Sequence, residues 1–453
     1  MCKPKYWSYL VLVVLLLAAG CGEVPTAALP VKSPSLLPTP TAVAYPPPPT
    51  VPPPPTATPE PTLPPPPTAV PTATPIQPTP YAPAEALPEG FPTVIYAVQR
   101  LEQPGRSWLA HPAQLWTLRH ERGMLREELL LDLSPSVLED RIDPLHRYIG
   151  YNWVSDLSSS PGGRYVAITL RAWEGGGADT LVIQTDTGEI YRPVMPGKFG
   201  VGSLVWIPGS ERFIVADPDR IMWGTMTLKG GDYMPFPIYD MLEAAVSPDG
   251  ERVIFSAIPT VHARGIYLGA VDIYGSNLTP FAPPDPLPGF QVRVLALSPD
   301  GRTCALVWVL QGSIREAGQM WVMDADGSNQ RPLTEPNDMY DFDFAWSPDG
   351  NSLAFIRWEN FPTWTAGYYP TTWGAMVSSL WLIDLEGKER LLLSSEGRYA
   401  HWDPEWLPDG SGLVFVSNRG GENNLWFIRA DGTGLQQLTR QGGLSPEIAL
   451  LIR

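Results

Sequence analysis

Four carboxylates occupy one place in a recurring phrase of this 453-residue chain. Asp156, Glu243, Asp343 and Asp403 each stand five residues before a proline, at Pro161, Pro248, Pro348 and Pro408; two further copies of the phrase place Ser203 and Val294 there. Asp240, Asp341 and Glu405 flank them. Carboxylates brought to one opening can hold a cation or a basic peptide group, and their mutual repulsion raises some pKa values unless they are neutralised. A pair about 5 to 10 Å apart can instead cleave a glycosidic bond, and Asp343 with Asp403 is the pair to test for that chemistry. The structural use of the same residues is plainer: each carboxylate accepts backbone N–H bonds and fixes the start of its strand.

A second candidate is the segment "RWENFPTWTAGYYPTTWGAMVSS", residues 357 to 379, with Trp358, Phe361, Trp364, Tyr368, Tyr369 and Trp373. Rigid rings in a long loop offer contact area to a protein or a sugar at low entropy cost. Folded onto its own rings, the same loop would be a plug. Other chemistries find little support. His111, His120, His146, His262 and His401 share no His-x-x-x-His spacing, and no Gly-x-Ser-x-Gly is present. "DADGSN" (324 to 329) reads as a turn, matched by "RADGTG" (429 to 434), and not as a calcium loop. No cofactor is expected. A formal charge of -16 argues against nucleic acid, which asks for a positive surface.

The elements that would position these residues follow from the repeat. "FAWSPDGNSLAFIRW" (344 to 358) has relatives at 158 to 168, 205 to 216, 245 to 257, 295 to 308 and 405 to 417. Their prolines are separated by 47, 40, 51, 49 and 60 residues, the period of propeller blades. Pro fixes φ, Asp accepts the next position and Gly takes the left-handed one, so each phrase reads as a hairpin closed by a three-residue loop. A second hairpin follows each, as in "MWVMDADGSNQRPLT" (320 to 334) and "LWLIDLEGKERLLL" (380 to 393), giving four strands per repeat. One extra second hairpin, "LWTLRHERGMLREELLLD" (115 to 132), precedes all the turn phrases, with "TVIYAVQR" (93 to 100) ahead of it. Its missing innermost strand is found at the other end, where "LSPEIALLIR" (444 to 453) lines up with "WDPEWLPDGS" (402 to 411). The expectation is an all-β, seven-bladed β-propeller closed by shared N- and C-terminal strands. Seven blades take about 52 residues each, and a six-bladed ring would take about 60.

These phrases resemble the TolB-type, WD-like propeller repeats of bacterial envelope proteins, from residue 93 to the end. Four copies carry the full Pro-Asp-Gly, at Pro248, Pro299, Pro348 and Pro408. The resemblance implies a propeller in the cell envelope. Fold alone does not name a function, because propellers host binding, scaffolding and catalysis alike.

The N-terminal sequence agrees. Lys3 and Lys5 precede the apolar "YLVLVVLLLAA" (9 to 19), and "AAGC" (18 to 21) resembles a bacterial lipobox, which implies cleavage before Cys21 and its lipidation. Of the other two cysteines, Cys2 lies in the leader and Cys304 reads as a small buried residue, so no disulfide within the propeller is expected. Residues 34 to 83 hold 22 prolines in 50 positions and one charge, Glu60, a composition that favours polyproline II over any packed fold. At about 3.1 Å per residue such a stalk reaches on the order of 150 Å. The expected organisation is a signal peptide (1–20), a lipidated N-terminus (21–33), a Pro/Thr-rich linker (34–91) and a propeller (92–453). The expected role is a non-catalytic lipoprotein, membrane-anchored on the extracytoplasmic side, that binds an envelope or extracellular protein or a glycan; the alternative is a carbohydrate-active enzyme with its carboxylates on the funnel face.

Overall fold

The computed structural model describes residues 87–99, 113–133, 151–172, 178–193, 203–216, 222–228, 232–239, 241–257, 268–282, 290–310, 318–335, 340–359, 377–442 and 444–451. The leader, the lipidated segment and most of the linker expected from sequence lie outside them.

Along the chain, Thr93–Val98 (β1), Gln114–Glu121 (β2) and Met124–Asp132 (β3) begin one sheet. Six complete sheets follow. The second blade is Tyr151–Ser159, Tyr165–Ala172, Ala178–Gln184 and Ile190–Tyr191 (β4 to β7), and the third is Ser203–Trp206, Arg212–Ala216, Met222–Thr227 and Met234–Tyr239 (β8 to β11). The fourth is Met241–Val246, Arg252–Ala257, Leu268–Asp272 and Thr279–Pro280 (β12 to β15), and the fifth is Phe290–Leu297, Thr303–Leu310, Gly318–Asp324 and Arg331–Pro332 (β16 to β19). The sixth is Tyr340–Trp346, Ser352–Trp358, Ser378–Asp384 and Glu389–Leu393 (β20 to β23), and the seventh is His401–Trp406, Gly412–Ser417, Asn424–Arg429 and Gln436–Gln437 (β24 to β27).

The last strand, Leu444–Leu451 (β28), goes back to the first sheet and pairs antiparallel with β1, Thr93 facing Leu451 and Tyr96 facing Ile448. That sheet is ordered β28-β1-β2-β3, so its innermost strand comes from the far end of the chain. β28 also touches β4 of the second blade and β24 of the seventh, which closes the ring. Seven blades with one shared between the two ends is the arrangement read from the hairpin count, and the six-bladed alternative is set aside. Because each sheet is covered on both faces by its neighbours, the middle strands are apolar without alternation, as in Ser352–Trp358, where every residue after the first is buried.

The turn phrase has four loop residues, not the three expected. Ser247 N–H donates to the Arg252 carbonyl, while the Ser247 carbonyl accepts from Gly250, whose φ is 75°. The Arg252 N–H is met by the Ser247 hydroxyl at 2.9 Å, so the serine side chain completes the closing pair in place of its own carbonyl and leaves residues 248 to 251 as the loop. Asp249 ties it from inside, accepting from the Ser247 hydroxyl at 2.5 Å and the Glu251 N–H at 3.0 Å; these donors, the serine first, hold its carboxyl below the ordinary range. The same bonds recur at Ser298 with Asp300 and at Ser347 with Asp349.

The turns also lean on one another around the ring. A Cβ placed on Gly301 (φ 71°) would lie 2.5 Å from the Cδ of Pro248, and one on Gly250 would lie 2.9 Å from the carbonyl oxygen of Pro208. Nearby, Trp346 Nε1 donates to the Ala296 carbonyl at 3.1 Å, and Trp406 Nε1 to the Ala345 carbonyl at 3.2 Å, each indole reaching the innermost strand of the preceding blade. The recurring phrase therefore builds the joints between blades as well as a hairpin within each.

Candidate functional site at the mouth of the ring

Every acid counted five residues before the turn proline lies on an innermost strand, Glu243 and Asp403 near its start but Asp343 at its middle and Asp156 past it, and the sheet register divides them further. In the sixth blade Phe342 pairs with Ile356 and Phe344 with Phe355, so Asp343 is the extra residue of a β-bulge. In the seventh, Trp402 pairs with Val416 and Glu405 with Val414, which puts Asp403 in the bulge with Pro404. Both aspartates have left-handed backbone, φ 56° and 45°, a region that Asp tolerates better than most residues. In the second and fourth blades the bulge lies one residue earlier, so Asp156 pairs with Thr169 and Glu243 with Ser256. Equal spacing from the proline thus covers two different strand positions.

Asp343 and Asp403 are brought together. An Asp343 carboxylate oxygen accepts the backbone N–H of Asp403 at 2.5 Å, bridging the sixth and seventh blades, and both side chains are buried. Glu243 is buried as well, whereas Asp156 and Glu405 are half-buried. Asp240 lies outside the described residues.

Asp341 belongs to an ion network that sequence reasoning missed. Arg357 donates through Nε and Nη2 to its two oxygens at 2.6 and 2.8 Å, and through Nη1 and Nη2 to Glu389 at 2.6 and 2.8 Å. Burial pushes the Asp341 carboxyl up against the pull of the guanidinium, and the two carboxylates raise Arg357 above its ordinary range in spite of its own burial. The guanidinium also lies over the rings of Phe355 and Trp381. One signal was present in the sequence: Arg357 is the single charge within the apolar run "SLAFIRW", and a buried arginine needs carboxylates. The network ends in a cavity of about 510 Å³, where Glu335 and Glu386 join Arg357 and Glu389 in the lining.

The aromatic segment connects β21 to β22, at the end of the sheet where β20 begins, as the repeat spacing required. Trp358 closes β21 and is buried, its ring edge-on to Trp402 at 6.0 Å. Phe361, Trp364, Tyr368, Tyr369 and Trp373 lie outside the described residues, as does Cys21. Where the segment leaves the sheet, Glu359 accepts from the hydroxyls of Ser379 and Ser395, the latter at 2.9 Å.

Among the described residues no group of three or more His, Cys, Asp or Glu is placed to hold a metal. Cys304 is fully buried, and burial pushes its thiol far up. His401 is buried at the start of β24, with Nδ1 2.9 Å from the Ser417 hydroxyl.

Fold and mouth together define a closed seven-bladed β-propeller. No family model matches the chain. An uncharacterized protein of Agrobacterium fabrum is 24% identical over 144 residues, which are 32% of this chain and 42% of that protein, so the match spans less than half of the relative. Similar solved structures include TolB from Acinetobacter baumannii, at 13% identity over 80% of this chain and 66% of that one, with a TM-score of 0.43. A prolyl endopeptidase is similar at 13% identity over 80% of this chain and 51% of its own, with a TM-score of 0.48.

Proposed function

We propose that this chain is a non-catalytic lipoprotein of the cell envelope, held by Cys21 on the extracytoplasmic side, whose propeller binds a protein or glycan at the mouth bordered by Asp156, Glu405 and the aromatic segment. The observation that carries the reading is the engagement of the acids best suited to acid–base chemistry. Asp343 accepts the Asp403 N–H and Asp341 is clamped by Arg357, so these carboxylates serve the ring. Asp156, at that position in the second blade, and Glu405, two residues past it in the seventh, are half-buried and keep some surface, which suits contact with a basic group of a ligand.

The test is capture of partners by the full chain from intact envelopes. Replacing Asp156 with Asn and Glu405 with Gln should weaken capture and reduce its salt sensitivity, since exposed charges are screened over about 8 Å at physiological ionic strength. Trp364→Ala with Tyr368→Ala should weaken it by roughly 1 to 4 kcal/mol if they anchor the ligand. Capture unchanged by all four substitutions, or turnover of a glycan by the purified chain, would sink the reading. Radiolabelled fatty acid should enter the wild-type chain and not Cys21→Ser.

A further inference from the structure

Six of the seven outermost strands guard their edges. β7, β15, β19 and β27 are two residues long, β11 carries Pro235 and Pro237, and the five-residue β23 begins with the charged Glu389 and Arg390. The outermost strand of the first blade differs: β3 runs for nine residues without a proline and ends its sheet. Long, open edges of this kind are templates for pairing with another strand. Among the described residues its outer face stays open, since Met124 and Leu129 are 44% and 46% exposed and the side chains of Arg126 and Glu128 are 54% and 40% exposed.

The groups offered by the edge can be read from the hairpin. Arg122 and Gly123 form a two-residue turn, φ 52° and 77°, closed by Glu121 facing Met124. In such a hairpin the closing pair is hydrogen-bonded, so Met124, Arg126 and Glu128 direct their backbone groups to β2, and Leu125, Glu127 and Leu129 direct theirs outward. The pairing is regular from Glu121 to Trp116 and breaks only past Leu129, at the Leu130 bulge. The outward set is centred on Glu127.

We propose that this edge is a self-pairing interface, at which two copies of the chain join β3 to β3 antiparallel about a two-fold axis through Glu127. This register satisfies the outward groups completely: Glu127 bonds Glu127 of the second copy, and Leu125 exchanges bonds with Leu129. It also matches the side chains, because Arg126 of each copy comes to face Glu128 of the other, while Leu129, 46% exposed, comes beside the position of Leu125, whose own side chain is already packed in the core. Each Glu127 carboxylate is held within its own blade, buried, accepting from the Tyr96 hydroxyl at 2.5 Å and from Gln441 Nε2 at 3.4 Å with Arg440 as the neighbouring positive charge. Arg126 and Glu128 are already held in line by their own contact at 2.8 Å and by Arg119, 3.0 Å from Glu128. An interface one strand wide is small, so association should be roughly micromolar or weaker.

The register makes a charge-exchange test decisive. Sedimentation velocity on the full chain carrying Cys21→Ser, across a concentration series, should show a monomer–dimer equilibrium. Arg126→Glu alone sets like charges opposite each other at both crossings, and so does Glu128→Arg alone; each should weaken self-association about tenfold or more. An equimolar mixture of the two variants restores opposite charges at both crossings and should return association to near the wild-type level, which also shows that neither variant had lost its fold. A wild-type chain that stays monomeric, or a mixture that associates no better than its components, overturns the proposal; the first result would mean that another segment or partner takes the edge.

Discussion

Acid should loosen the joint between the sixth and seventh blades through one side chain. His401 is fully buried, with Ser417 at Nδ1, Phe415 edge-on at 5.7 Å, the Ser394 backbone and Glu396 nearby, and Arg419 as the adverse charge. Burial first, then Arg419, pushes its pKa from 6.5 down to about 3. A depressed histidine is neutral in the fold and binds its proton more readily when unfolded. Its contribution is therefore whole above pH 6.5, and it is lost as pH falls from there towards 3. At about 1.4 kcal/mol per unit, roughly 2 kcal/mol is gone at pH 5. The assay is denaturant unfolding of wild type and His401→Asn at pH 7.5, 6 and 5, where Asn can keep the Ser417 bond but cannot titrate. Carboxylates common to both proteins cancel in the difference. The variant should be less stable at pH 7.5 by about 1 to 2 kcal/mol for the lost volume, and the gap should shrink by roughly 2 kcal/mol at pH 5. Parallel stability profiles for the two proteins would refute the reasoning.

The joints between turns give a sharper contrast. Gly301→Ala meets both a left-handed backbone and Pro248 at 2.5 Å and should cost about 2 to 4 kcal/mol in chemical denaturation, whereas Gly123→Ala, with φ 77° but open space around its Cβ, should cost only about 1 to 2. Arg357→Leu leaves buried Asp341 and its neighbour Glu389 without their cation and should destabilise by about 3 to 5 kcal/mol, read as a lower denaturant midpoint. Deleting residues 444 to 451 removes the innermost strand of the first blade; thermal unfolding should lose its cooperativity or begin many degrees lower, and a truncated chain melting within a degree or two of wild type would contradict the closure.

The ring was legible because its information is local and repeated. Each Pro-Asp-Gly phrase declares a hairpin, and the surplus second hairpin at 115 to 132 could be completed only by a strand from elsewhere, which 444 to 451 supplies. What spacing could not show was register. A bulge moves by one residue between the fourth and sixth blades, so Glu243 pairs with Ser256 while Asp343 bulges out in left-handed backbone and reaches the next blade. The loop length failed for a similar reason, since a serine hydroxyl substituting for a backbone carbonyl leaves no mark in the pattern of apolar residues. Arg357 could be flagged as a buried charge, but its partners, sixteen residues before it and thirty-two after it, become neighbours only when the four strands of the blade align.

The clasp made by β1 and β28 also sets the order of events during synthesis. Six blades are complete in sequence once Gln437 has been made, yet β1, with Val94, Ile95 and Tyr96 destined for full burial, must wait for residues 444 to 451 before its inner edge is covered. Throughout that interval the first strand of the domain is a vacancy that any matching strand can fill, including residues 444 to 451 of a neighbouring copy. An exchange of tails would leave every contact of the ring intact while linking two molecules, so crowded synthesis should favour interlocked pairs and dilution should favour closed single rings.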